Sequence, residues 1–326
     1  MTLHRRLCFA LSITLVVATT ASAQPRKLPT NDELREKLGD HVEAVFDQAY
    51  AATDNPKQML DLYVPKQRGD KPLPVVVSIH GGGWINGDRK ASAGIAAFAK
   101  QGNYIAVAIS YRLSNEAKWP AQMHDCKAAI RWLRGNAKRF NLDPDRIGVQ
   151  GSSAGGHLVA MLALTADRKE LEGDLGEFTG QSSRVTCAVD FCGPTDLTLP
   201  LMQGKAAEVD DPAVAGLVGS PIKEHLDVAR SASPINYVTK DAAPLLIAHG
   251  TNDLRVNFEQ SKTLYAALEK VGAPVWLIPV TDGGHSMGGG QELTARVQAF
   301  LDRYLRDEKN DLSTTPIPTQ PETKKP

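Results

Sequence analysis

Residues 146–157 have the sequence RIGVQGSSAGGH. The first five residues predict a short buried strand, which runs directly into a G-x-S-x-G motif at 151–155 and then into a helix-forming stretch. Glycines two positions before and after the serine permit a turn that side chains would block, and the strained serine projects its hydroxyl above the sheet. Chance alone gives roughly 0.1 such matches in a chain of this length, so the flanking strand and helix must support the motif. The stretch therefore predicts a candidate nucleophile, Ser153.

Short apolar strands alternate with helix-periodic segments on both sides of this motif. The predicted strands are 74–80, 104–110, 146–150, 185–191, 245–249 and 275–280. The predicted helices are 91–101, 120–140, one beginning at Gly155, 258–271 and 291–305. Continuous apolar strands separated by helices indicate an α/β protein with a mostly parallel sheet covered on both faces. Alternating patterns at 42–46 and 58–64 predict an antiparallel edge.

The two ends of the chain differ in composition from the middle. Residues 1–23 combine a basic start, an apolar run over 7–18 and the small-residue sequence Ala21-Ser22-Ala23, the pattern of a secretory signal peptide. The apolar run is shorter than the roughly 20 residues that a membrane span requires. We therefore expect no membrane span and an exported protein, either periplasmic or secreted.

The rest of the chain is expected to form one folded unit with two flanking segments. Residues 24–39 are a lead-in, 40–306 form a single domain, and an irregular insertion at about 195–231 is a candidate small cap. Long connections of this kind are often functional. Residues 307–326 are rich in proline and charge and poor in apolar residues, which predicts a disordered tail.

The charge balance excludes some classes of partner. The chain of 326 residues has 37 Lys+Arg and 37 Asp+Glu, a formal net charge of zero. This balance offers no basic surface for nucleic acid. No His, Cys or carboxylate pair has metal-ligand spacing, so we expect neither a metal nor another cofactor. Cys187 and Cys192 are expected to be buried free thiols; nothing in the sequence determines the oligomeric state.

A serine nucleophile needs a base, and the chain order of such sites places the histidine after the serine and the acid. The downstream histidines are His157, His225, His249 and His285. His285 follows the last predicted strand in a glycine-rich loop that can reach the serine, so it is the predicted base. His157 lies one turn into the helix and is expected to point away from the site. His249 ends a strand and is expected to be a buried, hydrogen-bonded residue.

The acid should follow the strand before the histidine loop. Asp253 stands four residues past His249 and is the preferred candidate, although aspartate also commonly caps helices and turns. Asp196, after the preceding strand, remains the alternative, because both lie at strand carboxyl ends where α/β sites form. Asp282 is too close to His285 in sequence to orient it.

A second G-x-S-x-G motif occurs at 284–288. No histidine follows Ser286, and three residues separate this motif from the preceding strand. The order of the three groups therefore favours Ser153 as the nucleophile. The second motif is expected to hold His285 on a flexible loop.

The loop after the 74–80 strand supplies candidate oxyanion donors. Gly81, Gly82 and the following glycine allow backbone N–H groups to approach a substrate oxygen without obstruction by a Cβ atom. Together with the N–H of Ala154, which follows the nucleophile, Gly81 and Gly82 would form an oxyanion hole. The spacing does not match either kind of phosphate-binding loop. Trp84 is predicted to line the acyl-binding pocket, with coverage of the sheet edge as the alternative.

These motifs together resemble the α/β-hydrolase superfamily. HGGGW at 80–84, GSSAG at 151–155, HGTND at 249–253 and His285 occur in the expected order. The match is most similar to bacterial carboxylesterases with an HGGG loop, especially the bifunctional feruloyl and acetyl-xylan esterase group. The resemblance spans about 40–306 and implies an α/β-hydrolase fold and cofactor-free ester hydrolysis through a Ser153, Asp253 and His285 triad. The family commonly has proline shortly after the acid, where this chain has Asn257.

The resemblance implies a serine carboxylesterase for small acyl esters, including acetyl or feruloyl groups on polysaccharide. Two alternatives stay open from the sequence. An amidase, peptidase or lactonase would use the same triad on a different bond. A non-catalytic α/β-hydrolase-like binding protein would keep the fold, although it would not need a complete triad and oxyanion loop.

Overall fold

The computed structural model describes residues 27–166, 168–202 and 211–319. The predicted signal peptide at 1–23 lies outside the described residues. The strands are β1 Val42–Ala49, β2 Met59–Pro65, β3 Leu73–Ile79, β4 Ile105–Ile109, β5 Leu142–Ser152, β6 Cys187–Phe191, β7 Leu245–Gly250, β8 Val275–Thr281 and β9 Ile317–Pro318. The helices are α1 Asn31–Leu38, α2 Ala96–Lys100, α3 Ala121–Gly135, α4 Ala137–Phe140, α5 Ala154–Leu164, α6 Pro212–Val218, α7 Leu226–Ser231, α8 Phe258–Lys270 and α9 Gly290–Leu305.

The strands of the described residues form one sheet in the order β1-β2-β4-β3-β5-β6-β7-β8-β9. β1 and β2 pair antiparallel, as do β2 and β4, whereas the pairs from β4 through β3 to β9 are parallel. This arrangement confirms the predicted mostly parallel sheet with an antiparallel edge. Because parallel strands point the same way, the loops after β3, β5, β6, β7 and β8 meet at one edge of the sheet.

Helices cover both faces of the sheet. Val75, Val77 and Ile79 of β3 join the core with α3, α5 and α8, while Val76 faces the core with α1, α2 and α9. Successive side chains of a strand point to opposite faces, so a continuous apolar run is required where both faces are buried. The fold therefore explains why β3 has no polar-apolar alternation over these residues.

Two predicted helices differ from the observed ones. The segment predicted as a helix at 91–101 begins as a 3-10 helix, Arg89–Ile95, and becomes α-helical only in α2. The predicted helix 120–140 divides after Gly135 into α3 and α4. A Cβ atom on Gly135 would lie 2.1 Å from the ring of Phe178, so a distant side chain occupies the space beside this glycine. Packing against a residue far away in sequence therefore requires a glycine at the last position of α3.

Both flanking segments contain ordered structure, which was not predicted for the lead-in and was predicted to be absent from the tail. In the lead-in, Thr30 caps α1 through a capping box, and Leu34 and Leu38 are buried in the core. The tail prediction differs from the structure up to residue 319, because β9 pairs with β8 and Ile317 is 1% exposed. The open edge of β8 presents backbone hydrogen-bonding groups that any extended segment can satisfy. Residues 320–326 of the predicted tail lie outside the described residues.

The predicted cap contains two short helices in its described part, α6 and α7. Val214 and Leu217 of α6 and Ala229 of α7 are buried in the main core. The backbone N–H of Trp119 donates to the carbonyl of Leu217 at 3.0 Å. The cap is therefore packed onto the sheet domain. Among the described residues, none of the helices is long and apolar enough to cross a membrane.

Candidate active site

Ser153 occupies a strained turn between β5 and α5. Its backbone has φ 58° and ψ −120°, a conformation that non-glycine residues rarely adopt. A Cβ atom on Gly151 would lie 2.4 Å from the carbonyl oxygen of Gly155, and one on Gly155 would lie 2.1 Å from that of Ile79. The N–H of Ser153 donates to the carbonyl of Phe191 at 2.8 Å, which ties the turn to β6. The G-x-S-x-G glycines are therefore required by close backbone contact.

His285 and Asp253 meet at the carboxyl edge of the sheet. The Nδ1 of His285 lies 2.6 Å from Oδ2 of Asp253. Asp253 is fully buried, and the His285 side chain is 27% exposed. The backbone N–H groups of Arg255 and Val256 donate to Oδ1 of Asp253 at 2.8 and 3.0 Å. The carboxylate is thus fixed on both oxygens, with one of them turned to the imidazole.

The environment of Asp253 favours its ionised form. Burial raises the pKa of this carboxyl group, but hydrogen bonds from His249, His285 and the two backbone N–H groups outweigh that effect. The pKa of Asp253 is held well below its usual range as a result. An ionised carboxylate that accepts from Nδ1–H leaves Nε2 of His285 unprotonated and able to act as a base.

Asp196, the alternative acid, is engaged elsewhere. Its Oδ1 accepts from the backbone N–H and the hydroxyl of Thr198 at 2.9 and 2.6 Å. Its own N–H donates to the side-chain oxygen of Gln260. The structure therefore brings Asp253, rather than Asp196, to His285.

The second G-x-S-x-G motif forms a tight loop between β8 and α9. A Cβ atom on Gly250 would lie 2.3 Å from the carbonyl oxygen of Gly283 and 2.4 Å from that of Gly284. The N–H of Gly288 donates to the carbonyl of Ser286 at 2.8 Å. This loop carries His285 toward Asp253, in agreement with the part assigned to the motif from the sequence.

The glycine loop after β3 lies directly against the serine turn. A Cβ atom on Gly81 would lie 2.6 Å from the carbonyl oxygen of Ser152 and 3.4 Å from Cβ of Ser153. Gly82 has φ 110°, and a Cβ atom there would lie 2.2 Å from the carbonyl oxygen of Asn86. Ala154 is the first residue of α5, where a backbone N–H has no partner within the helix. The predicted oxyanion donors are therefore grouped around Ser153.

Trp84 lies behind this loop instead of on an open surface. Its side chain is 1% exposed, and its indole N–H donates to Nδ1 of His157 at 3.2 Å. The Nε2 of His157 in turn donates to the carbonyl of Ala232 at 2.6 Å. Burial lowers the pKa of His157 to about 4, so the ring is neutral at pH 7. The structure gives Trp84 a packing position in place of the predicted substrate contact, because α5 and the cap enclose it.

His249 is buried and hydrogen-bonded, as expected from the sequence. It also contacts Asp253, which the sequence analysis did not foresee: its Nε2 lies 3.1 Å from Oδ2 of the carboxylate. The sequence HGTND could have indicated this contact, because β7 ends and the chain turns back within the four residues from His249 to Asp253.

Cys192 lies beside His285 and Asp253, a position that the sequence did not predict. It follows β6 with φ 49°, and its thiol donates to the carbonyl of His285 at 3.4 Å. Donor atoms of Cys192, Asp253 and His285 lie within 4.8 Å of one another, a grouping that sequence spacing did not indicate. Burial raises the pKa of Cys192 to about 12, so it is a neutral thiol, whereas metals bind the thiolate. Cys126, Cys187 and Cys192 are buried free thiols, which confirms that prediction for the described residues.

A cavity of about 340 Å³ opens beside the serine turn. Its lining includes Gly81 and Ser152 from the two active-site loops. Polar side chains of Ser78, Ser92 and Gln150 also face it. Neither Ser153 nor His285 lines it, so the cavity adjoins these two residues without enclosing them.

A sheet of this topology, with the nucleophile turn, the glycine loop and an acid-base pair at one edge, defines an α/β-hydrolase. The chain belongs to the BD-FAE family, whose model matches residues 60–268. The esterase LipC of Mycobacterium tuberculosis is 34% identical over 235 residues, which are 71% of this chain and 57% of LipC. The chain thus spans little more than half the length of this curated relative.

Solved structures show the same likeness. A truncated carbohydrate esterase from gut microbiota superposes with a TM-score of 0.76 and 32% identity, over 86% of this chain and all of that one. A bifunctional GH43-CE protein of Bacteroides eggerthii has a TM-score of 0.74 and 31% identity, over 80% of this chain and 38% of its own length. The likeness therefore covers the sheet and both helical layers.

Proposed function

We propose that this protein is a serine carboxylesterase in which Ser153, His285 and Asp253 form the catalytic triad. The observation that carries the proposal is the 2.6 Å contact between Nδ1 of His285 and Asp253, at the same edge of the sheet as a serine with φ 58° on a strand-to-helix turn. A hydroxyl nucleophile needs a partly exposed imidazole that is oriented by a buried carboxylate, and here both oxygens of that carboxylate are hydrogen-bonded.

In the proposed reaction, Oγ of Ser153 attacks the ester carbonyl while Nε2 of His285 takes the hydroxyl proton. The N–H groups of Gly81, Gly82 and Ala154 stabilise the negative oxygen of the tetrahedral intermediate, and each such donor is worth about 3 kcal/mol. The intermediate collapses to an acyl-serine, and the imidazolium gives its proton to the leaving alkoxide. Water then attacks the acyl-serine with help from the same base, which releases the carboxylic acid and regenerates the serine.

The proposed substrates are small acyl esters, in particular acetyl or feruloyl groups on polysaccharide. The named carbohydrate esterase neighbour supports a sugar alcohol. We expect the wild type to release acetate from acetylated xylan, and turnover of p-nitrophenyl acetate without this release would contradict the polysaccharide substrate.

The test is turnover of p-nitrophenyl esters from acetate to decanoate by the wild type, Ser153→Ala and Ser286→Ala. We expect Ser153→Ala to lose at least a thousand-fold in kcat and Ser286→Ala, the matched control in the second motif, to keep full activity. If only Ser286→Ala lost activity, the nucleophile would lie in the second motif, and the assignment of Ser153 would be wrong. A wild type without turnover of any ester, amide or lactone would favour a binding protein.

We also propose that residues 1–23 direct export and are removed. The basic start, the apolar run and Ala-Ser-Ala at 21–23 support this proposal. Expression of the full chain in a bacterium, followed by cell fractionation and N-terminal sequencing, tests it. We expect a periplasmic or secreted product that begins at Gln24, and a cytoplasmic product that retains Met1 would contradict the proposal.

A further inference from the structure

The catalytic carboxylate shares one oxygen between two imidazoles. Oδ2 of Asp253 lies 2.6 Å from Nδ1 of His285 and 3.1 Å from Nε2 of His249. The other oxygen, Oδ1, is already occupied by backbone N–H groups. His249 therefore contacts the same atom that orients the proposed base.

The hydrogen bonds of His249 determine its tautomer. Its Nε2 also lies 3.0 Å from the carbonyl of Val256, and both neighbours of Nε2 are acceptors, so this nitrogen carries the proton. Its Nδ1 lies 2.6 Å from Oγ of Ser261, on α8, and accepts the proton of that hydroxyl. Ser261 thus favours the tautomer that donates to Asp253.

This arrangement is closed to solvent. His249, Asp253 and Ser261 are each 0% exposed, and the ring of Phe258 stands edge-on to His249 with centroids 5.6 Å apart. Water does not replace a lost donor easily at such a position, so the full cost of an unpaired acceptor is felt. His249 is therefore held in one orientation by β7, α8 and the loop between them.

We propose that His249 is a positioning residue that acts through Asp253, with Ser261, His249, Asp253 and His285 forming one hydrogen-bonded chain. This proposal rests on the proposed function. His249 fixes the carboxylate in the plane of His285 and takes up part of the charge on Oδ2. Without this donor, Asp253 becomes more basic, moves more freely and binds the imidazolium form of His285 more strongly.

Other titratable groups face this hydrogen-bonded chain, and their effects on the pH profile must be separated from that of His249. Asp190 of β6 interacts electrostatically with His249, and Cys192 lies beside Asp253. Burial raises the pKa of Asp190 to about 6, close to the range in which an imidazole titrates. An Asp190→Asn background therefore removes one contribution to the acid limb of the pH profile.

The test compares His249→Phe, which removes the donor and keeps a ring, with His249→Gln, which keeps an N–H in reach of Asp253. For His249→Phe we expect kcat on p-nitrophenyl acetate to fall roughly ten-fold with KM within about two-fold, because the base loses part of its orientation while the residues that bind substrate are unchanged. The acid limb of kcat/KM should move up by about half to one pH unit. His249→Gln should restore most of both.

Phe258→Leu is the matched control, because it loosens the packing of the His249 ring without removing a donor to Asp253. We expect its acid limb to coincide with that of the wild type. An unchanged limb in His249→Phe, or a His249→Gln variant as impaired as His249→Phe, would overturn the proposal. If His249→Phe does not fold, Ser261→Ala should shift the limb in the same direction by a smaller amount, and no shift would refute the chain.

A measurement without turnover separates this proposal from the proposed function. In the Ser153→Ala background, NMR of labelled histidine gives the pKa of His285 directly. We expect His249→Phe to raise it by about half to one unit. This shift, together with a wild type that lacks esterase activity, would support the positioning role and refute only the reaction, whereas an active wild type with no shift would do the reverse.

Discussion

Asp253→Asn is the substitution that tests the acid of the triad most directly. Asp253 accepts four hydrogen bonds, two on Oδ1 from backbone N–H groups and two on Oδ2 from His249 and His285. An asparagine that keeps its oxygen toward Arg255 and Val256 turns its NH₂ group toward both imidazoles. Nδ1 of His285 must then accept, which places the proton on Nε2 and prevents this nitrogen from taking the serine proton.

The magnitude follows from this change of tautomer. A base locked in the wrong tautomer costs about 10⁴-fold in kcat, or about 5.4 kcal/mol of transition-state stabilisation. The NH₂ group also opposes Nε2–H of His249, which keeps only the carbonyl of Val256 as acceptor. We therefore expect the free energy of unfolding to fall by about 1–3 kcal/mol.

The assay is kcat and kcat/KM on p-nitrophenyl acetate from pH 6 to 9, with urea unfolding of each variant at pH 7. Asp196→Asn is the matched control, because Asp196 bonds to Thr198 and should tolerate the change with activity within about three-fold of wild type. A folded Asp253→Asn enzyme within ten-fold of wild-type kcat would refute the acid assignment. A large loss in Asp196→Asn would restore Asp196 as the candidate.

Four further predictions concern the turn, the core, the tail and pH. Gly155→Ala should reduce both activity and stability, by about 1–3 kcal/mol in urea unfolding, because its methyl group meets a backbone oxygen at 2.1 Å. Trp84→Phe leaves His157 without a donor and should cost about 1–3 kcal/mol by urea unfolding, while KM for small esters stays unchanged. Ile317→Ser should cost about 2 kcal/mol, whereas a tail that does not pack would show no change. Burial raises the pKa of Asp190 from 3.8 to about 6, so the folded state keeps this proton where the unfolded chain has lost it, and stability falls as the pH rises toward 6. Asp190→Asn should therefore gain more stability over wild type at pH 8 than at pH 4 in thermal denaturation.

Much of the fold was predictable because its signals are local. Hydrophobic runs such as that of β3 require burial on both faces, and each predicted strand was found within a few residues of its expected position. The β9 strand could not be predicted, since Ile317 lies in a segment whose composition favours disorder. Only the open edge of β8, assembled from distant residues, gave that segment a partner.

The candidate site divides in the same way. The chain order placed Ser153 and His285 at the correct edge, because parallel strands gather their following loops there. The choice between Asp253 and Asp196 depended on which loop bends toward His285, and both had the same local pattern. The burial of Trp84 required α5 and the cap, which a motif cannot report.

The sequence by itself determined the α/β class, the strained serine turn and the order of serine, acid and histidine. These features depend on backbone conformation and hydrophobic periodicity, which act over a few residues. The tertiary structure decided the partner of each polar group: Asp253 for His285, His249 for Asp253 and His157 for Trp84. Hydrogen bonds form within about 3 Å, and only the packed fold brings residues as far apart as Trp84 and His157 to that distance.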